Sequence, residues 1–106
     1  MSYLLGFDIG SSSIKAALLE TETGKLIATA ISPKTELEIK AVKPGWAEQD
    51  PQIWWENVKA AAGEIKEKSG ADLHEVKAVG LSYQMHGLVI VDKNYRVLRP
   101  SIGLAP

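Results

Sequence analysis

The sequence contains no cysteine. Structural disulfides, thiolate metal sites and cysteine nucleophiles are therefore excluded. Aromatic residues are scarce, 7% in all with a single phenylalanine, so the three tryptophans stand out. No run of lysine or arginine occurs, and the formal net charge is -1. A nucleic-acid binder shows a clustered basic face, so that class is set aside. No apolar run approaches the roughly 20 residues of a membrane-spanning helix. Met1 to Phe7 carries no basic leader and runs directly into Asp8, so it does not read as a secretory signal. A cytoplasmic protein without membrane partners is expected. What is present is ordinary for one globular domain: 106 residues, 45% hydrophobic and 24% charged.

Tyr3 to Ile9 is a short apolar run and reads as a buried strand. Gly10-Ser11-Ser12-Ser13 is a tight polar turn. Ile14 to Leu19 places Ile14, Ala16 and Leu18 on one face and Ala17 and Leu19 on the other, which suits a strand covered on both sides. Lys25 to Ile31 makes a third strand. The turns between the three are too short for crossover helices, so an antiparallel meander is expected. A long connection follows from Ser32 to Asp50, with Pro44-Gly45 as a type II turn signal. Asp50-Pro51 opens a helix, with Asp50 as N-cap and Pro51 in its first position. Trp54, Val58, Ala61 and Ile65 form its apolar stripe, widened by Trp55 and Ala62. Gly70 is its stop signal. Val76 to Ser82 is a strand reached through that helix, hence parallel to a neighbour. Leu88 to Val91 and Arg96 to Leu98 flank Asp92-Lys93-Asn94-Tyr95 as a hairpin. The fold class is α/β.

Three segments carry candidate chemistry. Asp8-Ile9-Gly10-Ser11-Ser12-Ser13-Ile14-Lys15 puts a carboxylate, a glycine, three hydroxyls and a cation around one turn. Gly10 can take φ > 0 and has no Cβ, so backbone N–H groups can approach an anion closely. The hydroxyls add donors. Asp8 suits Mg²⁺ or a water on it. The plainer alternative is a polar hairpin turn. This is not a P-loop, because Gly-Lys-Ser is missing and a strand follows instead of a helix. Gly45-Trp46-Ala47-Glu48-Gln49-Asp50-Pro51-Gln52-Ile53-Trp54-Trp55 is a turn, an aromatic, a cap and a tryptophan-rich helix start. Trp54 and Trp55 read as core, whereas Trp46 and Glu48 lie on a loop, where binding residues concentrate. Gly80-Leu81-Ser82-Tyr83-Gln84-Met85-His86-Gly87 lies at the carboxyl end of a strand, where open α/β sheets bind ligands. Gln84 and His86 can both donate and accept, as a polyhydroxylated ligand requires. A satisfied histidine in a turn is the alternative. His74 belongs to no motif and reads as a surface residue.

Two apolar strands around Asp-x-Gly-Ser, then a third strand and a helix, resemble the first half of the ribonuclease H-like, actin-like ATPase fold. The Gly-Trp-x-Glu-x-Asp-Pro stretch followed by Trp-Trp resembles the FGGY carbohydrate kinases, and Gln-Met-His-Gly resembles the sugar-contacting element of their xylulose kinases. The resemblance runs from Leu4 to about Ile102. It implies that Gly10, Ser11, Ser12, Ser13 and Lys15 meet ATP phosphates and that Asp8 holds Mg²⁺ through water. It implies that Gln84, Met85, His86 and Gly87 orient a sugar. Glycerol kinases carry arginine and glutamate where Met85 and His86 stand, so a ketose is expected, D-xylulose first. The catalytic base of the family is an aspartate of a second domain, so no catalytic residue is expected in this chain, and alone it should be inactive. The parent enzyme is expected to be a homodimer. Residues 1–102 fit the first part of the first domain. Gly103-Leu104-Ala105-Pro106 departs from the family pattern and reads as a truncation or cloning remnant.

Three rivals remain. One is a kinase of another sugar or polyol, or a non-sugar ATPase of the same fold. The second is a ribonuclease H-like nuclease, disfavoured because no acidic residue matches Asp8 at the Ser82 strand end. The third is a non-catalytic binding module.

Overall fold

The computed structural model describes residues 1–35, 37, 39–41, 47–84 and 87–103. Strand β1, Tyr3–Ile9, pairs antiparallel with β2, Ile14–Glu20, and β2 pairs antiparallel with β3, Leu26–Ser32. This is the expected meander. A helix, α1, spans Pro51–Ser69, and strand β5, Val76–Tyr83, returns to lie parallel to β1. The sheet order is β3-β2-β1-β5.

Local chemistry sets both ends of α1. The Asp50 side chain accepts the Gln52 N–H, and Pro51 fills the first turn. Gly70 takes a left-handed conformation with φ 67° and donates to the Lys66 carbonyl. Val58, Ala61 and Ile65 lie against the sheet, and Trp54 is half-buried beside them. The core consists of Leu5, Phe7, Ile14, Ala16, Leu18 and Ala30 facing Ala61 and Ile65. Ile14, Leu18 and Ile65 are fully buried. Each such aliphatic side chain contributes about 1.5–3 kcal/mol by leaving water.

Two sequence expectations change. Trp55 does not widen the apolar stripe: it is exposed, and Lys59 Nζ stands 5.6 Å from its ring centroid. It lies a quarter turn from the Trp54–Ile65 line, so the sheet does not reach it. Nor is β2 covered on both sides. Helix α1 packs on the Ile14, Ala16, Leu18 face, while Gly6, Ala17, Thr29 and Gly80 line an open depression on the other. No described element lies over that face.

The hairpin is present, though irregular. Val91 and Val97 bridge, and the Leu98 N–H donates to Ile90. Asp92 shapes the turn by accepting the Asn94 and Arg96 N–H groups on its carboxylate. Tyr95 completes it at φ 64°. A second, two-stranded sheet was not foreseen. It joins β4, Glu48–Gln49, to β6, Ser101–Ile102. Two-residue strands are too short to show periodicity. Gly103 continues that contact by donating to the Ala47 carbonyl at 2.9 Å. Pro44, Gly45 and Trp46 lie outside the described residues, as do Leu104, Ala105 and Pro106.

Candidate phosphate and sugar loops

The β1–β2 turn is ordered by its carbonyl groups. Gly10 N–H donates to Ser13 O at 3.0 Å, which closes the turn. Leu37 N–H donates to Ser12 O at 2.7 Å. The Gln49 side-chain nitrogen donates to Ser11 O at 2.6 Å, and that of Gln84 to Gly10 O at 3.2 Å. All four carbonyls from Gly10 to Ser13 are thus held by protein donors. Among the described residues, the N–H groups of Ser11, Ser12 and Ser13 make no hydrogen bond, and neither do the three hydroxyls. Ser11 and Ser12 are exposed and Ser13 is half-buried. A loop with its acceptors tied back and its donors free has the polarity an anion requires.

The positive φ expected as an option at Gly10 is not used. Its φ is not in the left-handed region, where only Gly24, Gly70 and Tyr95 fall among the described residues. Closeness favours glycine instead: a Cβ here would stand 3.1 Å from Ser13 O, so the turn would have to give slightly.

Asp8 is exposed near the carboxyl end of β1. Its register partners are Lys15 on β2 and Ser82 on β5, and the three line the same open depression. Among the described residues no group of three or more His, Cys, Asp or Glu could hold a metal. A lone carboxylate does not make a Mg²⁺ cage. It fits a Mg²⁺ whose other ligands are waters and phosphate oxygens.

The candidate sugar loop, residues 84–87, is described only in part. Gln84 is half-buried, and its nitrogen faces the β1–β2 turn. Gly87 is exposed. Met85 and His86 lie outside the described residues. His74 is exposed, as expected, and pairs with Asp72 at 2.9 Å. The His74 contacts hold the Asp72 carboxyl below its ordinary range, the backbone hydrogen bond being the largest cause.

Glu48, read from the sequence as a loop residue suited to binding, has a structural role. It is 6% exposed and paired with the Arg99 guanidinium. That ion pair ties β4 to the stretch before β6. Sequence reasoning passed over Gln49. Its side chain meets Ser11, accepts the Trp54 indole N–H at 3.0 Å and lies 3.5 Å from the Gln84 nitrogen. No pattern along the chain marks it, because its contacts join segments that meet only in the fold.

A family profile, the FGGY family of carbohydrate kinases, N-terminal domain, matches residues 3–104. The chain is 39% identical over 99 residues to xylulose kinase of Klebsiella pneumoniae and 37% over 98 residues to that of Escherichia coli K12. Each match covers 92% of this chain and 19% of the relative. A crystal structure of the Brucella ovis xyloylose kinase superposes with a TM-score of 0.85 at 35% identity, covering 94% of this chain and 20% of that one. The chain therefore spans about a fifth of the length of these relatives, and its fold is that of the start of an FGGY kinase.

Proposed function

Because the chain belongs to the FGGY family of carbohydrate kinases, we propose that it forms the beginning of an ATP-dependent enzyme phosphorylating a ketose hydroxyl, D-xylulose first. The observation that carries this reading is the polarity of the Gly10–Ser13 loop. Four carbonyls are turned onto protein donors, and three consecutive N–H groups and three hydroxyls remain. Phosphoryl transfer is mostly a matter of positioning and of neutralising charge, and such a loop supplies both.

In this reading, the N–H and hydroxyl groups of Ser11, Ser12 and Ser13 hold ATP phosphate oxygens, and Gly10 allows the turn that presents them. Lys15 adds positive charge from the neighbouring strand. Asp8 would hold Mg²⁺ through water, and the ion would supply positive charge to the phosphates. Gln84, Met85, His86 and Gly87 orient the sugar hydroxyls. No residue of this chain is assigned as the base that accepts the hydroxyl proton. Residues 1–102 are assigned to the first domain of such a kinase, with Gly103 tied to them through Ala47. Use of ATP favours a cytoplasmic setting.

The substrate assignment rests on Met85 and His86 and on the names of the relatives. A kinase of another polyol in the same family is the second reading, favoured by the fact that Gln84 and Gly87 alone fix no particular sugar. The test is ADP release by the complete gene product that carries these residues. Mg-ATP would be supplied with D-xylulose, L-xylulose, D-ribulose, L-ribulose, gluconate or glycerol. Turnover on a ketose, abolished in Asp8→Ala, is the expected result. Turnover on glycerol or gluconate alone would move the assignment to the second reading. A folded protein inactive on the whole panel would contradict the kinase assignment for these substrates.

A further inference from the structure

Gln49 stands where the three motifs meet. Its backbone is fixed on both sides, by β4 pairing with Ser101 and by the cap at Asp50. Its side-chain amide is fixed by chemistry. The Trp54 indole can only donate, so it must meet Oε1 of Gln49, at 3.0 Å. That leaves Nε2 of Gln49 to face Ser11 O, which can only accept, at 2.6 Å. Gln84 is oriented by the same logic. Gly10 O only accepts, so Nε2 of Gln84 faces it at 3.2 Å and also lies 3.5 Å from Oε1 of Gln49. A small cavity lined by Ser11, Gln49, Trp54, Gln84, Ser101 and Gly103 adjoins these groups.

The consequence is directional. The chain Trp54→Gln49→Ser11 uses the indole N–H to set which end of Gln49 faces the phosphate loop. Gln84 carries the contact onward to the segment that resembles the sugar-contacting element. Both amides occupy loop carbonyls that would otherwise offer acceptors to an approaching anion. A carboxylate at position 49 would accept from Trp54 equally well. It would have no donor for Ser11 O, and it would bring a negative charge toward the loop.

We propose that Gln49 is a positioning residue, which fixes the phosphate loop in its anion-accepting polarity and ties that loop to Gln84. This rests on the kinase reading for both the nucleotide and the sugar, while the loop geometry by itself supplies the polarity suited to an anion. Trp54, beyond its packing, serves as the group that orients Gln49.

The experiment compares wild type, Gln49→Glu, Gln49→Met and Trp54→Phe in the complete gene product. Mg-ADP affinity is read by calorimetry, KM and kcat by ADP release, and the melting temperature alongside. Mg-ADP affinity should fall at least 10-fold in Gln49→Glu and less in Gln49→Met. Trp54→Phe, a mild change that keeps the ring in the core, should weaken Mg-ADP several-fold. The double variant Trp54→Phe/Gln49→Met should bind no more weakly than Gln49→Met alone, since residues acting through one another are not additive. The Mg-ATP KM should rise more than kcat falls. Unchanged Mg-ADP affinity in Gln49→Glu would overturn the proposal. So would a lowered melting temperature with wild-type affinity, the signature of a purely structural residue. A wild type that binds Mg-ADP but phosphorylates no sugar would fail the kinase reading while leaving the Gln49 comparison to be read on affinity.

Discussion

The side-chain nitrogen of Gln84 reaches the carbonyl of Gly10 at 3.2 Å, joining two loops that are 74 residues apart in sequence. Both loops sit at the same end of the sheet because β1 and β5 run parallel and adjacent, with Ile9 opposite Tyr83. Parallel pairing therefore places Gln84 beside the β1–β2 turn, and one hydrogen bond joins the two.

Gln84→Leu should accordingly disturb both ligands. A group that touched only sugar would alter the sugar KM alone. Loss of the donor on Gly10 O should raise the Mg-ATP KM as well, by roughly 5-fold for about 1 kcal/mol. Steady-state kinetics with each substrate varied in turn would check this.

Two glycines of the same strand-and-turn unit should respond oppositely to alanine. At Gly10 the new Cβ would sit 3.1 Å from a backbone oxygen, so the turn must shift. Gly10→Ala should lower stability by about 1 kcal/mol or more and weaken Mg-ADP binding. At Gly6 a Cβ meets nothing within 4 Å. Gly6→Ala in the 106-residue chain should be neutral or stabilising by up to about 1 kcal/mol, because the unfolded chain loses freedom. Urea unfolding of both variants separates the two cases.

Tyr95 occupies the left-handed region at φ 64° and is 84% exposed. Little packing offsets the steric cost of that conformation, about 1–2 kcal/mol for a residue with a Cβ. Tyr95→Gly should raise stability by about 0.5–1 kcal/mol once the greater freedom of unfolded glycine is set against it. Tyr95→Pro should be clearly destabilising, since its φ cannot be reached. Thermal unfolding measures both.

Glu64 ties α1 to the chain beyond β3. Lys34 Nζ reaches its carboxylate at 2.8 Å and Lys68 at 3.3 Å. The hydrogen bond from Lys34 is the largest reason that the Glu64 carboxyl lies below its ordinary range. A carboxyl lowered in the folded state binds fewer protons there than in the unfolded chain. Its contribution is therefore present above the ordinary glutamate range and is lost as pH falls through the folded value. Lys34→Met should move the Glu64 titration back upward and flatten that part of the stability profile. Side-chain carboxyl NMR across pH 3 to 6, roughly the range set by ordinary carboxyl values, would show it.

Much of this arrangement was legible in the sequence where local chemistry decides it. β1 coincides with the apolar run Tyr3 to Ile9, and α1 begins at Asp50-Pro51 and stops at Gly70 as cap residues dictate. The hairpin turn at Asp92 to Tyr95 was legible through its Asp and Asn. Contacts made only by the fold were not. β4 and β6 are two residues each and gain their pairing from distant chain. Glu48 shows no sequence sign of burial, because its partner is Arg99, 51 residues away. The candidate site divides the same way. That Gly10 to Ser13 form a tight turn was legible from its residue types. That Gln49 and Gln84 hold its carbonyls depends on three segments meeting, and no spacing along the chain encodes that.

The most direct measurement is a crystal structure of the complete gene product with Mg-ADP and D-xylulose. Phosphate oxygens are expected within about 2.7–3.2 Å of the N–H groups of Ser11 to Ser13. Gln49 should remain bonded to Ser11 O, and the sugar should lie against residues 84–87. A nucleotide bound elsewhere, or a loop whose carbonyls turn toward the phosphates, would contradict this.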